Sequence, residues 1–138
     1  MRVVFDAGVV LAGAGWRHES YRCLVLAAKR IALPYATADT LSELPRVANE
    51  MQARGAFKKN DPWPVLRWYL DFARCVEPSP LNRQVSRDAK DDPYLTRALQ
   101  ARAQFIISRD QDLLVLGKPF GIEILTPRSL LSRVAALF

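Results

Sequence analysis

The chain opens with MRVVFDAGVVLAG, residues 1–13, in which a short apolar run stops at a single acid. Residues 2–5 have the apolar, β-branched character of a buried strand, and Asp6 follows where that strand would end. Gly8 and the later stretch of residues 13–15, Gly-Ala-Gly, also suggest a glycine-rich turn that binds a nucleotide. No helix cap is evident directly after Asp6, so the acid is expected to serve a metal or acid–base site.

The nucleotide-binding alternative fails on spacing. A G-x-G-x-x-G pattern starting at Gly13 would need a third glycine where His18 stands, and it begins too far beyond the strand. No G-x-x-x-x-G-K-[ST] sequence occurs in the chain. His18 is the only histidine, so a serine–histidine–aspartate triad or a histidine-rich zinc site would depend on it alone. The chemistry is therefore sought among the acids.

Length and composition predict a single domain over residues 1–138 with one hydrophobic core, since half of the 138 residues are hydrophobic. The net charge of +6 favours an anionic partner such as nucleic acid. No apolar run reaches the ~18 residues of a membrane span, and no secretory signal is predicted. Cys23 and Cys75 form no C-x-x-C pair. Both are expected to be buried or half-buried thiols, which suits a reducing cytoplasm.

Short apolar runs alternate with longer stretches of helical periodicity. Strands are predicted at 2–5, 31–36, 75–76, 105–108 and 122–125, and helices at 19–30, 37–54, 62–73, 93–103, 113–116 and from 126 toward the end. Pro45 implies that the second helix either starts late or kinks there. The alternation predicts an α/β fold, a three-layer α/β/α sandwich around a mostly parallel sheet, with ligands at the carboxyl ends of the strands.

Acids collect at the predicted strand ends and helix starts. They are Asp6, Glu43, Asp91, Asp92, Asp110 and Asp112. Three of them have a structural alternative: Asp92 could cap a helix, Asp112 could cap helix 113–116, and Glu43 could lie on a solvated helix face. Carboxylates that converge without a basic partner repel one another, and Mg²⁺ or Mn²⁺ is the oxygen-preferring cation that would neutralise them. The pattern predicts a metal site able to hydrolyse a phosphodiester.

These stretches resemble the PIN domain family, and more particularly its VapC-like branch, the toxin components of toxin–antitoxin pairs. The resemblance is carried by RVVFDAGVVLAG, by TADTLSELPRV, and by RDAKDDPYLTRALQARAQFIISRDQDLLVLG followed by IEILTPRSLL. It implies a metal-dependent ribonuclease with RNA as substrate and a cognate antitoxin protein as partner. It also implies a homodimer, with which exposed apolar residues on the early helices, such as Leu24 and Leu26, would be compatible.

The resemblance also assigns roles by position. It implies that Asp6, Glu43, Asp92 and Asp110 are catalytic metal ligands, that Asp91 and Asp112 are additional ligands, and that Ser108 orients the region of Asp6. Where the family usually has Asp-Thr-Asn, this chain has Asp6-Ala7-Gly8. Loss of such supporting groups commonly weakens metal binding about 10–100-fold.

Three alternatives remain beside a ribonuclease. One is a degenerate PIN domain that binds RNA or an antitoxin without cleaving, which the Ala7-Gly8 pair favours. Another is a protein-interaction module held by an antitoxin. The third is a phosphatase of a different α/β fold, which would want a second aspartate two residues after Asp6, where this chain has Gly8.

Overall fold

The computed structural model describes residues 1–76 and 102–137. The predictions for Asp91, Asp92 and most of the helix 93–103 lie outside these residues. Five parallel strands form the sheet: β1 (Arg2–Phe5), β2 (Leu33–Ala36), β3 (Arg74–Cys75), β4 (Phe105–Ile107) and β5 (Glu123–Leu125), in the order β3-β2-β1-β4-β5. The predicted α/β sandwich with a mostly parallel sheet is confirmed.

Six α-helices accompany the strands within the described ranges: α1 (Ala7–Trp16), α2 (Glu19–Ala28), α3 (Ala38–Ala53), α4 (Trp63–Phe72), α5 (Gln111–Leu114) and α6 (Pro127–Leu137). Helix α3 already begins at Ala38, so Pro45 lies in its interior, which excludes the late start among the two alternatives for this helix. Asp61 Oδ1 accepts the Trp63 backbone N–H at 3.0 Å, which fits the predicted helix start at Asp61-Pro62.

Alternate residues of β1 face opposite sides of the sheet, as the twofold periodicity of a strand requires. Val3 and Phe5 pack into the larger core with residues of α1, α2, α4 and α6, while Val4 packs with Ile106 and Ile124 in a smaller core on the other face. Because both faces are covered, β1 is apolar from Val3 to Phe5 instead of alternating with polar residues. This central strand carries Asp6 at its carboxyl end.

Helix α1 was not predicted from the sequence. Its buried residues lie around most of the helix: Val9, Val10, Leu11, Gly13, Ala14 and Gly15. A helix enclosed by neighbours has no polar face, so it lacks the amphipathic stripe by which periodicity reveals surface helices. Here α1 contacts α2, α3 and α4, which accounts for its apolar composition.

Gly13 and Gly15 serve helix packing instead of phosphate binding. A Cβ built at Gly13 would lie 2.7 Å from Leu24 Cδ1 and 3.2 Å from the backbone carbonyl of Ser20. One built at Gly15 would lie 2.6 Å from the ring of Phe57. The missing side chains therefore allow α2 and the α3–α4 loop to approach α1 closely.

Two predictions about exposed and buried residues are wrong. Leu24 is 2% exposed because it is packed against α1, and Leu26 is half-buried against the same core, so neither is an exposed apolar residue. Cys75 is exposed, whereas Cys23 is buried as expected. Among the described helices, none is both long enough and apolar enough to cross a membrane.

Candidate active site

The carboxyl ends of β1 and β4 meet where the chain reverses its direction of travel across the sheet. From β1 the chain first adds β2 and β3 on one side, and then crosses to add β4 and β5 on the other. Ligands of open parallel sheets bind in the crevice at such a switch point. Asp6 follows β1 and Asp110 follows β4, and the Asp6 backbone N–H donates to the Ile107 carbonyl at 3.0 Å. The fold thus places these two acids just after the carboxyl ends of two adjacent strands.

Asp6 is both a helix cap and a buried carboxylate. Its Oδ1 accepts the Val9 N–H at 2.9 Å, which makes it the N-cap of α1, and its Oδ2 accepts a hydrogen bond from the Ser108 hydroxyl. The expectation that no helix cap follows Asp6 is therefore wrong, because α1 was missed. Capping and the bond from Ser108 do not use all the acceptor sites of the Asp6 carboxylate, since an ionised carboxylate offers about four lone-pair sites.

Ser108 connects the two acids. Besides donating to Asp6, its Oγ accepts the Asp110 backbone N–H at 3.0 Å. Asp110 in turn caps α5, with its Oδ1 accepting the Asp112 N–H at 2.9 Å. This excludes the alternative in which Asp112 is the cap of this short helix, because Asp112 lies in its first turn. Ser108 is fully buried, so it holds Asp6 and the start of the β4–α5 turn in a fixed relation.

The acid pair lacks a compensating cation within residues 1–76 and 102–137. Burial is the main cause that raises the pKa of Asp6, which is only 7% exposed, and the charge of Asp110 raises the pKa further. Hydrogen bonds from Ser108, Val9 and Gly8 lower the pKa without cancelling the increase. Neither acid forms an ion pair in this part of the chain. The arrangement would be relieved by a bound cation.

The donor set fits Mg²⁺ or Mn²⁺. Magnesium is usually held by one or two carboxylates, with waters and substrate phosphates completing its coordination. Asp6 and Asp110 supply two such carboxylates. No group of three or more histidine, cysteine, aspartate or glutamate side chains is placed to hold a metal among the described residues. Glu43 in α3 and Asp112 in α5 are half-buried and complete no such group there. The convergence of all the predicted ligands stays a prediction.

Position 8 lies directly against the acid. A Cβ built at Gly8 would be 3.3 Å from Asp6 Oδ1. A side chain at this position would therefore touch the carboxylate and restrict its rotamer. The sequence alone identifies the departure from Asp-Thr-Asn. The short distance between position 8 and Asp6 Oδ1 explains why this departure affects the orientation of the carboxylate.

We expect neutralisation of Asp6 to stabilise the metal-free protein at neutral pH. The pKa of Asp6 is raised above its ordinary 3.8 in the folded chain, so its charge destabilises folding above the raised pKa. This penalty fades as the pH falls through the raised value toward 3.8, because folded and unfolded chains are then both protonated. Asp6→Asn should unfold at higher urea than the wild type at neutral pH in EDTA. The gap should narrow on acidification, and a gap that widens would contradict the assignment.

Comparison with known proteins bears on the family and the fold of the chain. A family model described as PIN domain matches residues 2–112, a range that contains Asp6, Glu43, Ser108 and Asp110. The crystal structure of PAE2754 from Pyrobaculum aerophilum is similar over 99% of this chain and 90% of that one, at 18% identity and a TM-score of 0.63. At this identity the likeness concerns the fold alone. No curated protein matches the sequence.

Proposed function

The chain belongs to the PIN domain family, whose members are nucleases that generally use divalent metal ions, and we propose that it is a Mg²⁺- or Mn²⁺-dependent endoribonuclease. The observation that carries this proposal is the acid pair at the switch point. Asp6 and Asp110 lie on adjacent strands, share Ser108 as a hydrogen-bond partner, and have no cation beside them within the described residues. We include Glu43 and Asp92 as further ligands, and Asp91 and Asp112 as candidates beside them.

The residues at the site would have different roles in metal binding and RNA hydrolysis. Asp6 and Asp110 would hold the metal ion, and Ser108 would keep the Asp6 carboxylate in one rotamer. A bound Mg²⁺ or Mn²⁺ would lower the pKa of the attacking water and stabilise charge on the phosphate and the leaving oxygen. The net charge of +6 supports binding of the remaining RNA strand by basic side chains elsewhere on the surface.

We further propose that the chain is the toxin component of a toxin–antitoxin pair and acts in the cytoplasm. Its partners would be RNA and a cognate antitoxin that occupies the acidic groove, and it would form a homodimer. The support is the resemblance of its sequence blocks to the VapC-like branch. A pull-down from the native host that recovers no small partner protein would count against this assignment.

Cleavage of RNA by the purified chain, with Mg²⁺ or Mn²⁺ added after removal of all metal, tests the nuclease proposal. The wild-type chain should cut and Asp6→Asn should not. Equal activity of the two proteins would contradict the assignment of Asp6.

A second candidate is a degenerate PIN domain that binds RNA or an antitoxin without cleaving. One observation favours it: Gly8 places no side chain against Asp6, where a Cβ would lie 3.3 Å from Oδ1. Calorimetry with Mn²⁺ separates the two candidates. Absence of binding at millimolar metal would favour the degenerate domain, whereas binding that Asp6→Asn abolishes would favour the nuclease.

Restoring the usual side chains should strengthen metal binding. In Ala7→Thr/Gly8→Asn, the new asparagine would stand against Asp6 Oδ1 and narrow its choice of rotamers, because the Cβ at position 8 lies 3.3 Å away. Supporting groups of this kind are worth about 10–100-fold in metal affinity, so the Mn²⁺ dissociation constant should fall by about that factor. Calorimetry measures the change. Gly8→Ala is the matched control, since it adds the Cβ without the amide, and an equal gain from Gly8→Ala would contradict the explanation.

A further inference from the structure

A cavity of about 300 Å³ opens at the same edge of the sheet as the acid pair. Its lining includes Trp16 from α1, His18 and Ser20 at the start of α2, Arg109 and Gln111 after β4, and Thr126 after β5. Arg109 lies between Ser108 and Asp110 in the chain, and consecutive Cα atoms are about 3.8 Å apart. The cavity and the acid pair therefore share the β4–α5 turn. Its volume is at the lower end of the range of about 300–1,000 Å³ of small-molecule sites.

Ser20 indicates that the cavity takes a polar ligand. The residue is only 5% exposed, it lines the cavity, and its hydroxyl forms no hydrogen bond within the part of the chain that the structure describes. Buried hydroxyls almost always have a partner, because leaving one unsatisfied is destabilising. A ligand group in the cavity would provide the missing partner.

The other lining residues indicate which ligand. Trp16 is 41% exposed although it is a large aromatic residue, and its ring packs on Phe57 with centroids 5.5 Å apart. Arg109 is exposed and has no ion pair among the described residues. An exposed aromatic ring beside an available cation is the combination by which proteins bind single-stranded nucleic acid.

Neighbouring charges extend this surface. Phe57 belongs to the α3–α4 loop, which continues with Lys58 and Lys59 and is held to α1 by a hydrogen bond from Asn60 Nδ2 to the Gly15 carbonyl at 3.0 Å. Glu19 also lines the cavity, but its carboxylate is engaged by Arg128 at 2.9 Å. Basic residues thus occur both in the cavity lining and in the loop whose Phe57 packs on Trp16, and the Glu19 carboxylate is paired with Arg128.

We propose that this cavity binds one nucleotide of single-stranded RNA next to the bond that is cut. The base lies against Trp16 and hydrogen-bonds with Ser20, and the phosphate pairs with Arg109. The inference rests on the proposed nuclease function, because the nucleotide belongs to the substrate of the acid site. It makes Trp16, Ser20 and Arg109 residues that determine which nucleotide flanks the cleavage point.

Fluorescence anisotropy with a labelled single-stranded RNA of mixed sequence, in EDTA so that no cleavage occurs, tests the proposal. Ser20→Ala should weaken binding about 5-fold, the value of a typical hydrogen bond, without lowering the melting temperature. Trp16→Ala should weaken binding about 10-fold through lost stacking, and Trp16→Phe should restore most of the affinity.

The dependence of RNA affinity on salt concentration measures the contribution of Arg109 separately from those of Trp16 and Ser20. Arg109→Ala should reduce the slope of log affinity against log salt by about 0.7, the contribution of one phosphate contact on a single strand. Arg67→Ala is the matched control, because Arg67 is an exposed arginine of α4 outside this cavity and its removal changes the net charge equally. Its slope should equal that of the wild type.

The outcomes separate this inference from the nuclease proposal. If Ser20→Ala and Arg109→Ala bind RNA as the wild type does, or if the wild type does not bind, the cavity is not a nucleotide site. If these variants weaken binding while the wild type cuts no RNA with added metal, the cavity is a nucleotide site and the nuclease proposal fails. If the wild type cuts RNA and the cavity variants bind it normally, the nuclease proposal holds and the cavity inference fails.

Discussion

Asp6→Asn is expected to reduce metal-dependent RNA cleavage by about 1,000-fold or more while the chain stays folded. Loss of a metal ligand removes several kcal/mol of transition-state stabilisation, and each 1.36 kcal/mol corresponds to a factor of ten. The fold should survive because asparagine is as good an N-cap as aspartate and can still accept the Val9 N–H. Initial cleavage rates at saturating Mg²⁺ or Mn²⁺ measure the effect.

Two variants sharpen this test. Asp39→Asn removes one negative charge from an exposed position in the first turn of α3, so its cleavage rate should equal that of the wild type. Ser108→Ala removes the hydrogen bond that orients Asp6, so about 10–100-fold more metal should be needed for half-maximal rate. Full activity of Asp6→Asn, or equal losses in Asp6→Asn and Asp39→Asn, would contradict the role given to Asp6.

Gly13→Val is expected to destabilise the protein by about 3 kcal/mol or more. The first added carbon would already lie 2.7 Å from Leu24 Cδ1 and 3.2 Å from the Ser20 backbone, and valine adds two further methyl groups. Overpacking a tight interior costs about 1–3 kcal/mol and occasionally more. The gain of up to about 1 kcal/mol in helix propensity when glycine is replaced does not offset this. Urea unfolding monitored by circular dichroism measures the loss.

The neighbouring glycine provides the control. At Gly15 the obstructing atoms belong to the ring of Phe57, a half-buried side chain, so Gly15→Ala combined with Phe57→Leu should recover most of the stability lost in Gly15→Ala. At Gly13 the backbone of Ser20 remains in the way, so adding Leu24→Ala to Gly13→Ala should not restore stability. Restoration there would show that side-chain packing, and not the approach of the α2 backbone, requires the glycine.

Local sequence patterns are enough to predict most strands of the sheet. The runs 2–5, 105–108 and 122–125 are predicted as strands because each is short and mainly apolar, and a strand covered on both faces has apolar side chains on both. Asp6 and Asp110 were singled out because each follows such a run, and carboxyl ends of parallel strands gather ligands. Both inferences depend on residue type and chain order, which the sequence contains completely.

Only the tertiary structure showed which groups surround Asp6 and the glycines of α1, and what these groups do. Helix α1 could not be recognised because a helix buried on most sides has no polar face, and so the capping role of Asp6 was missed with it. Glycine is required at positions 13 and 15 of α1 because Leu24, Ser20 and Phe57, which lie elsewhere in the chain, would collide with a Cβ there.

The same holds for the cavity and the acid pair. The cavity lining comes from three separate segments, so no spacing in the sequence indicates it. The Asp6–Ser108–Asp110 connection joins residues 102 positions apart. The sequence by itself determined the strands, the order of strands and helices along the chain, and the acidic side chains available at the strand ends. Which groups touch, and which buried hydroxyl lines the cavity, is settled only when distant segments pack together, because contacts between them are properties of three-dimensional distance.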